Sequence, residues 1–161
     1  MSTPDADYAT HLPVLEEVCR KYSVKSVFEF GPGKYSTRFF SEHCESVVSV
    51  EMNSRDWYDQ IKDMNYKNVQ LLYLPGPFAA CNYLESICRF DLIMVDGHGD
   101  SRYRQANVAL EHSNIVVCHD TNDSQYGWWF VRIPSGYEVK NYTTGPTHTS
   151  TLIKNEHTCS L

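Results

Sequence analysis

Apolar residues in this chain come in short unbroken runs, each followed by a stretch with helical spacing. SVFEF (26–30) precedes a glycine turn and STRFFSEHC. VVSVEM (47–52) precedes SRDWYDQIKDM, where Ser54 can cap a helix and Trp57, Ile61 and Met64 share a face. VQLLYL (69–74), DLIMVD (91–96) and NIVVCHD (114–120) continue the series, with PGPFAACNYLESICRF and RYRQANVALEHS between them. Continuous apolar strands of this kind are buried on both faces, as in parallel sheets covered by helices. Residues 6–22 read as an opening helix with Leu12, Leu15, Val18 and Tyr22 on one side. The end of the chain differs. YEVKNYTT (137–144) and TSTLIKN (149–155) flank the turn signal GPTH and predict an antiparallel hairpin. The expectation is a three-layer α/β domain over 1–161 with seven strands.

In open α/β sheets, ligands bind beyond the carboxyl ends of the strands. After the first strand stands Glu29-Phe30-Gly31-Pro32-Gly33-Lys34-Tyr35-Ser36-Thr37. Two glycines permit a tight turn and close approach of a ligand, and Ser36 or Thr37 can cap the next helix. The alternative is a structural turn, since the pattern is GxGxxS without the third glycine. The second strand ends at Glu51, 20 residues after Gly31, the separation at which an acid meets a ribose diol. The alternative is a solvated glutamate. The fourth and fifth strands end in Asp96-Gly97-His98-Gly99-Asp100 and His119-Asp120-Thr121-Asn122-Asp123. Such loops can hold a divalent metal or place a general base, or they are polar because they face water.

Composition narrows the partners. The net charge is −6 with no basic run, which argues against binding nucleic acid by phosphate neutralisation. MSTPDADYATHLP carries no leader pattern and no apolar run reaches membrane-spanning length, so a cytoplasmic location is expected. Six cysteines, at 19, 44, 81, 88, 118 and 159, show no zinc spacing and read as reduced thiols.

Glu29 to Thr37, the strand end at Glu51, VDG at 95–97 and the terminal hairpin together resemble the Rossmann-like (class I) S-adenosylmethionine-dependent methyltransferases. The resemblance spans about residues 24–155. It implies a sheet order of 3-2-1-4-5-7-6 with strand 7 antiparallel. It implies that Glu29, Gly31 and Gly33 surround the methionine part of S-adenosylmethionine, and that Ser36 and Thr37 hold its carboxylate. Glu51 would bind the ribose, Met52 would pack on the adenine, Leu74 and Pro75 would border its edge, and Asp96 would sit near the sulfonium. Catechol-type relatives hold a metal with an acid after strand 4 and an acid-amide pair after strand 5. Asp96 and Asp120 match the acids and would hold Mg2+, but Thr121 stands where the amide is expected and no lysine base follows Asp96. His98 or His119 would be the base.

The acceptor is expected to be a small or sugar-like molecule, with NDSQYGWWF (122–130) as a candidate wall offering Trp128, Trp129 and Phe130. No added domain or long insertion of the kind that supplies substrate specificity is visible, so the acceptor site is expected to be either open or shared with a second copy or a partner subunit. Two alternatives stand beside methyl transfer: a cofactor-binding module without turnover, and a nicotinamide-dependent reductase. The hairpin and the incomplete glycine pattern disfavour the reductase.

Overall fold

The computed structural model describes residues 9–155. The helices are α1 (Leu12–Tyr22), α2 (Ser36–His43), α3 (Arg55–Lys62), α4 (Pro77–Glu85) and α5 (Arg102–His112). The strands are β1 (Ser26–Phe30), β2 (Ser46–Glu51), β3 (Val69–Tyr73), β4 (Leu92–Val95), β5 (Ile115–His119), β6 (Tyr137–Tyr142) and β7 (Thr149–Lys154). They form one sheet in the order β3-β2-β1-β4-β5-β7-β6. β1 to β5 pair in parallel, and β7 runs antiparallel to both β5 and β6. This is the order implied by the resemblance. The opening helix starts later than the pattern suggests: Pro13 stands in its first turn, and residues 6–8 lie outside the described residues.

Alternation along the strands builds two cores. Phe28, Phe30, Ile93, Val95, Val116 and Cys118 pack on one face with Leu84 and Ala80 of α4 and Ala106 and Ala109 of α5. Val27, Val47, Leu92, Met94, Ile115 and Val117 pack on the other with Leu15 and Val18 of α1 and Phe40 of α2. The apolar runs are continuous because both faces are covered. Among the described residues the cysteines are free thiols, and no helix is long and apolar enough to cross a membrane.

One polar residue interrupts β1. Glu29 is 0% exposed, and its Oε2 accepts hydrogen bonds from Thr37 Oγ1 at 2.7 Å and Ser49 Oγ at 2.6 Å. Thr37 Oγ1 in turn accepts from the backbone N–H of Gly33 at 3.0 Å. A buried carboxyl thus ties the start of α2 to the glycine turn and to β2. Ser36 and Thr37 lie inside the first turn of α2 and do not cap it; the N-cap position is Tyr35. Gly31 closes the other side of the turn. Its φ is +78°, and a Cβ there would overlap the carbonyl oxygen of Asp96.

Burial pushes the Glu29 carboxyl up to about 7, against the hydroxyls of Ser36, Ser49 and Thr37, with the charge of Asp96 adding to the rise. A carboxyl raised from 4.5 to about 7 binds more protons folded than unfolded between those values. Its contribution to stability is complete below the unfolded value and is lost as pH rises through the folded one. The shift corresponds to ~3 kcal/mol. Glu29→Gln, which stays neutral, is therefore expected to lose less stability than wild type between about pH 5 and about pH 8 in urea denaturation. Parallel pH profiles for the two proteins would contradict a buried, proton-binding Glu29. Gly31→Ala is expected to cost more than about 2 kcal/mol in the same assay, because both the backbone region and the space forbid a side chain.

Candidate active site

The parallel strands bring the ends of β1, β2, β4 and β5 to one edge of the sheet, where a cleft of about 1130 Å3 opens. Its walls include Gly31, Gly33, Ser36, Glu51, Met52, Asp96, His98 and Asp120. These eight residues singled out in the sequence, and His119 with them, thus come together. Glu29 and Thr37 do not line it; they lie behind the glycine turn and shape it. Leu74 and Pro75 do not line it either.

Glu51 closes β2 with a local cap. Its Oε1 accepts from the backbone N–H groups of Met52 at 3.1 Å, Asn53 at 2.7 Å and Ser54 at 2.9 Å. One carboxylate oxygen is thereby fixed, at the border of the cleft. Ser54 also caps α3, accepting from Trp57 N at 3.1 Å. Trp57 then donates from its indole Nε1 to the carbonyl of Pro32 at 2.6 Å, bracing the glycine turn from the β2 side. Met52 is held from behind: Gln105 donates to its sulfur at 3.1 Å and to Ser101 Oγ at 2.8 Å. A Cβ at Gly97 would lie 2.6 Å from Oε1 of the same glutamine, so a side chain there would push Gln105 and Met52 aside.

The floor at the ends of β4 and β5 is a charge cluster centred on Arg102, the first residue of α5. Its Nη1 lies 3.0 Å from Asp96 Oδ1 and 2.9 Å from Asp120 Oδ2. It also donates to the carbonyls of Gly97 at 2.8 Å and His119 at 3.0 Å, and its guanidinium stacks 4.1 Å over the Tyr126 ring. Asp120 adopts φ +55°, a left-handed turn that short acidic residues tolerate. His119 Nδ1 lies 3.3 Å from Asp96 Oδ1 and 3.5 Å from Asp120 Oδ1.

The electrostatics follow from these contacts. Burial works against the charge of Asp96, but His119, Arg102 and His11 outweigh it and hold the carboxyl below the usual range. Burial also disfavours a charged His119, yet the hydrogen bond and charge of Asp96, with Asp120, lift it above 6.5 against the opposing Arg102. His11 goes the other way, lowered to about 4 by burial and by His119, with Asp96 opposing. His11 is therefore neutral around pH 7.

The Asp96–Asp120 pair does not fit Mg2+. That ion needs an octahedron of oxygens, and here a guanidinium already bridges the two carboxylates, while the amide of Asn122 is engaged by Pro146 and His148. The groups of S-adenosylmethionine do fit: a side-chain-free turn at Gly31 and Gly33, a buried Ser36 beside them at the start of α2, and Glu51 with one carboxylate oxygen fixed.

The sequence did not single out Arg102, His11, Trp57 or Tyr126 as parts of this site. Arg102 carried a signal, because a cation in the first turn of a helix opposes the macrodipole and needs acidic partners. The aromatic run was misplaced. Trp128 is half-buried and donates to the Asp120 carbonyl at 3.0 Å, while Trp129 is 65% exposed; Trp128, Trp129 and Phe130 all lie off the cleft. Tyr126 is the aromatic residue of that segment in the wall.

No family model matches this sequence, and no curated protein matches it. Solved structures do match by shape. A putative O-methyltransferase from Klebsiella pneumoniae superposes with a TM-score of 0.69 at 17% identity, over 88% of this chain and 78% of that one. A putative methyltransferase from Streptococcus mutans, solved in complex with SAH, gives 0.67 at 12% identity, over 89% and 97%. An rRNA methylase from Streptococcus thermophilus gives 0.67 at 11% identity, over 90% and 96%. Seven strands in this order, with β7 reversed and helices on both faces, give the chain the fold of the Rossmann-like methyltransferases.

Proposed function

We propose that the protein is an S-adenosylmethionine-dependent methyltransferase acting on a hydroxyl of a small polar or sugar-like acceptor. The observation that carries this reading is Glu51: a nearly buried carboxylate, one oxygen fixed by three backbone N–H groups, at the mouth of a cleft whose opposite wall is a turn without side chains. Gly31, Gly33 and Ser36 would receive the amino-acid end of the cofactor, Glu51 the ribose hydroxyls, and Met52 with Gly97 the base. The cofactor supplies a methyl group already activated by its sulfonium.

The remaining work belongs to the chain's own groups. Alignment of the acceptor can account for about 7–11 kcal/mol of the barrier. Asp96 and Asp120 hold Arg102 and His119 as a rigid polar floor, which needs little reorganisation as charge shifts above it. His98 is exposed at the rim of the cleft and reaches it from the β4 loop. We assign to its imidazole the proton released by the acceptor hydroxyl.

Calorimetry tests the binding half. S-adenosylmethionine and S-adenosylhomocysteine are expected to bind at micromolar concentrations and NAD not at all. Glu51→Ala is expected to weaken binding by about 10- to 100-fold, the cost of losing hydrogen bonds to a charged group. Micromolar NAD binding without sulfonium binding would overturn the reading. Transfer of labelled methyl to candidate polyols and phenols tests the chemistry. His98→Ala is expected to lower turnover by about 10²- to 10⁴-fold while leaving S-adenosylhomocysteine affinity intact. Unchanged turnover would remove His98 from its role, and cofactor binding without transfer to any hydroxyl acceptor would favour a module without turnover.

A further inference from the structure

His11 is the least explained polar residue among the described residues. It precedes α1, is 2% exposed, and neither ring nitrogen has a hydrogen-bond partner. Buried imidazoles are ordinarily hydrogen-bonded through at least one nitrogen. Its ring packs edge-on against His119 with centroids 4.7 Å apart, and both residues border the cleft. One ligand atom each from His11, Asp96 and His119 lie within 4.8 Å of one another.

His119 is arranged as a metal-ligating histidine usually is. Its Nε2 lies 3.0 Å from Thr10 Oγ1 and 3.2 Å from Thr147 Oγ1, so the hydroxyls can take the Nε2–H. That leaves the Nδ1 lone pair facing Asp96 Oδ1 at 3.3 Å. A lone pair and a carboxylate at that distance repel unless a proton or a metal cation lies between them. About 3.3 Å is also the ligand-to-ligand edge of a tetrahedron with bonds of about 2.0–2.1 Å. A proton on Nδ1 would satisfy this pair alone, but it leaves both nitrogens of His11 unexplained.

We propose that His11, Asp96 and His119 form a binding site for a first-row transition-metal ion of the Zn2+, Co2+ or Fe2+ type. Two imidazoles and one carboxylate suit such borderline ions and are poor ligands for Mg2+ or Ca2+. His11 moves by about 1.5 Å towards the other two to close the set, as a 4.8 Å spread against an edge of about 3.3 Å requires. Asp96 Oδ1, which faces His119 Nδ1, offers one lone pair to the ion and keeps the other for its ion pair with Arg102. Three protein ligands leave an open position towards the cleft, the arrangement of a catalytic rather than a structural ion. An oxygen ligand there would be acidified. The site is distinct from the Asp96–Asp120 pair, and its existence does not depend on the methyl-transfer reading.

The full chain, stripped with EDTA, is titrated by calorimetry with ZnCl2, CoCl2 and MgCl2 in the absence of any cofactor, and Co2+ is followed by its visible absorption. Uptake of one Zn2+ or Co2+ per chain is expected, with intense Co2+ bands and no Mg2+ binding. His11→Phe keeps the buried ring and removes its nitrogens; it is expected to weaken Zn2+ binding by at least about tenfold. His98→Ala, in the same cleft but outside the cluster, is expected to bind as wild type does. Zn2+ should raise the melting temperature of wild type and not that of His11→Phe. Should that variant fail to fold, Asp96→Asn gives the same reading. No stoichiometric uptake, or uptake unchanged in a folded His11→Phe or Asp96→Asn, would overturn the site and leave His119 as a protonated histidine packed on an inert His11.

Discussion

The turn after β1 and the end of β4 approach so closely that no side chain fits between them. Gly31 N donates to the Val50 carbonyl at 3.0 Å, and Asp96 N donates to the Phe30 carbonyl at 3.0 Å, so the parallel ladder continues to the last residue of each strand. The space where a Gly31 side chain would stand is filled by the Asp96 carbonyl. This approach sets the rest. It brings the glycine turn, Glu51 and the charged ends of β4 and β5 to one edge. Glu29 makes the turn rigid by holding Thr37, and through it Gly33, from inside the sheet.

The two halves of the cleft are built on different physics. The β1–β2 side is a cradle of backbone groups: N–H donors on Glu51, a carbonyl on Trp57, glycines where side chains would intrude. The β4–β5 side is a cluster of side-chain charges, in which Arg102 stands between two carboxylates and His119 sits beside them. On the proposed reading, the neutral ribose would lie against the first half. The second half, with its charges balanced internally, suits the site of reaction, where preorganised charge matters more than net charge.

The strands and their order of appearance were legible because buried parallel strands leave unbroken apolar runs. The cap at Ser54 was legible because the hydroxyl stands immediately before the helix and bonds within it. The glycine turn and the acid at the end of β2 were legible for the same reason: Gly31 and Glu51 act through local backbone geometry, and with Gly33 they border the cleft. Residues whose roles arise from long-range packing were not. His11 meets His119 across 108 positions of sequence, and no local pattern encodes that contact. Thr37 read as a helix cap, but a buried carboxyl eight residues earlier claims its hydroxyl. The aromatic run at 128–130 read as a wall of the cleft. Gly127, at φ +67°, begins a tight turn that sends Trp128 against Asp120 and leaves Trp129 and Phe130 at the surface, a direction that composition does not contain.

The most direct test of the central claim, that the edge formed by β1, β2 and β4 is a nucleoside site, is a crystal structure of the chain with S-adenosylhomocysteine. The account predicts ribose hydroxyls on the free oxygen of Glu51 and the amino-acid end of the ligand against Gly31, Gly33 and Ser36. A ligand bound with its ribose elsewhere, or a cleft left empty at saturating ligand, would contradict it.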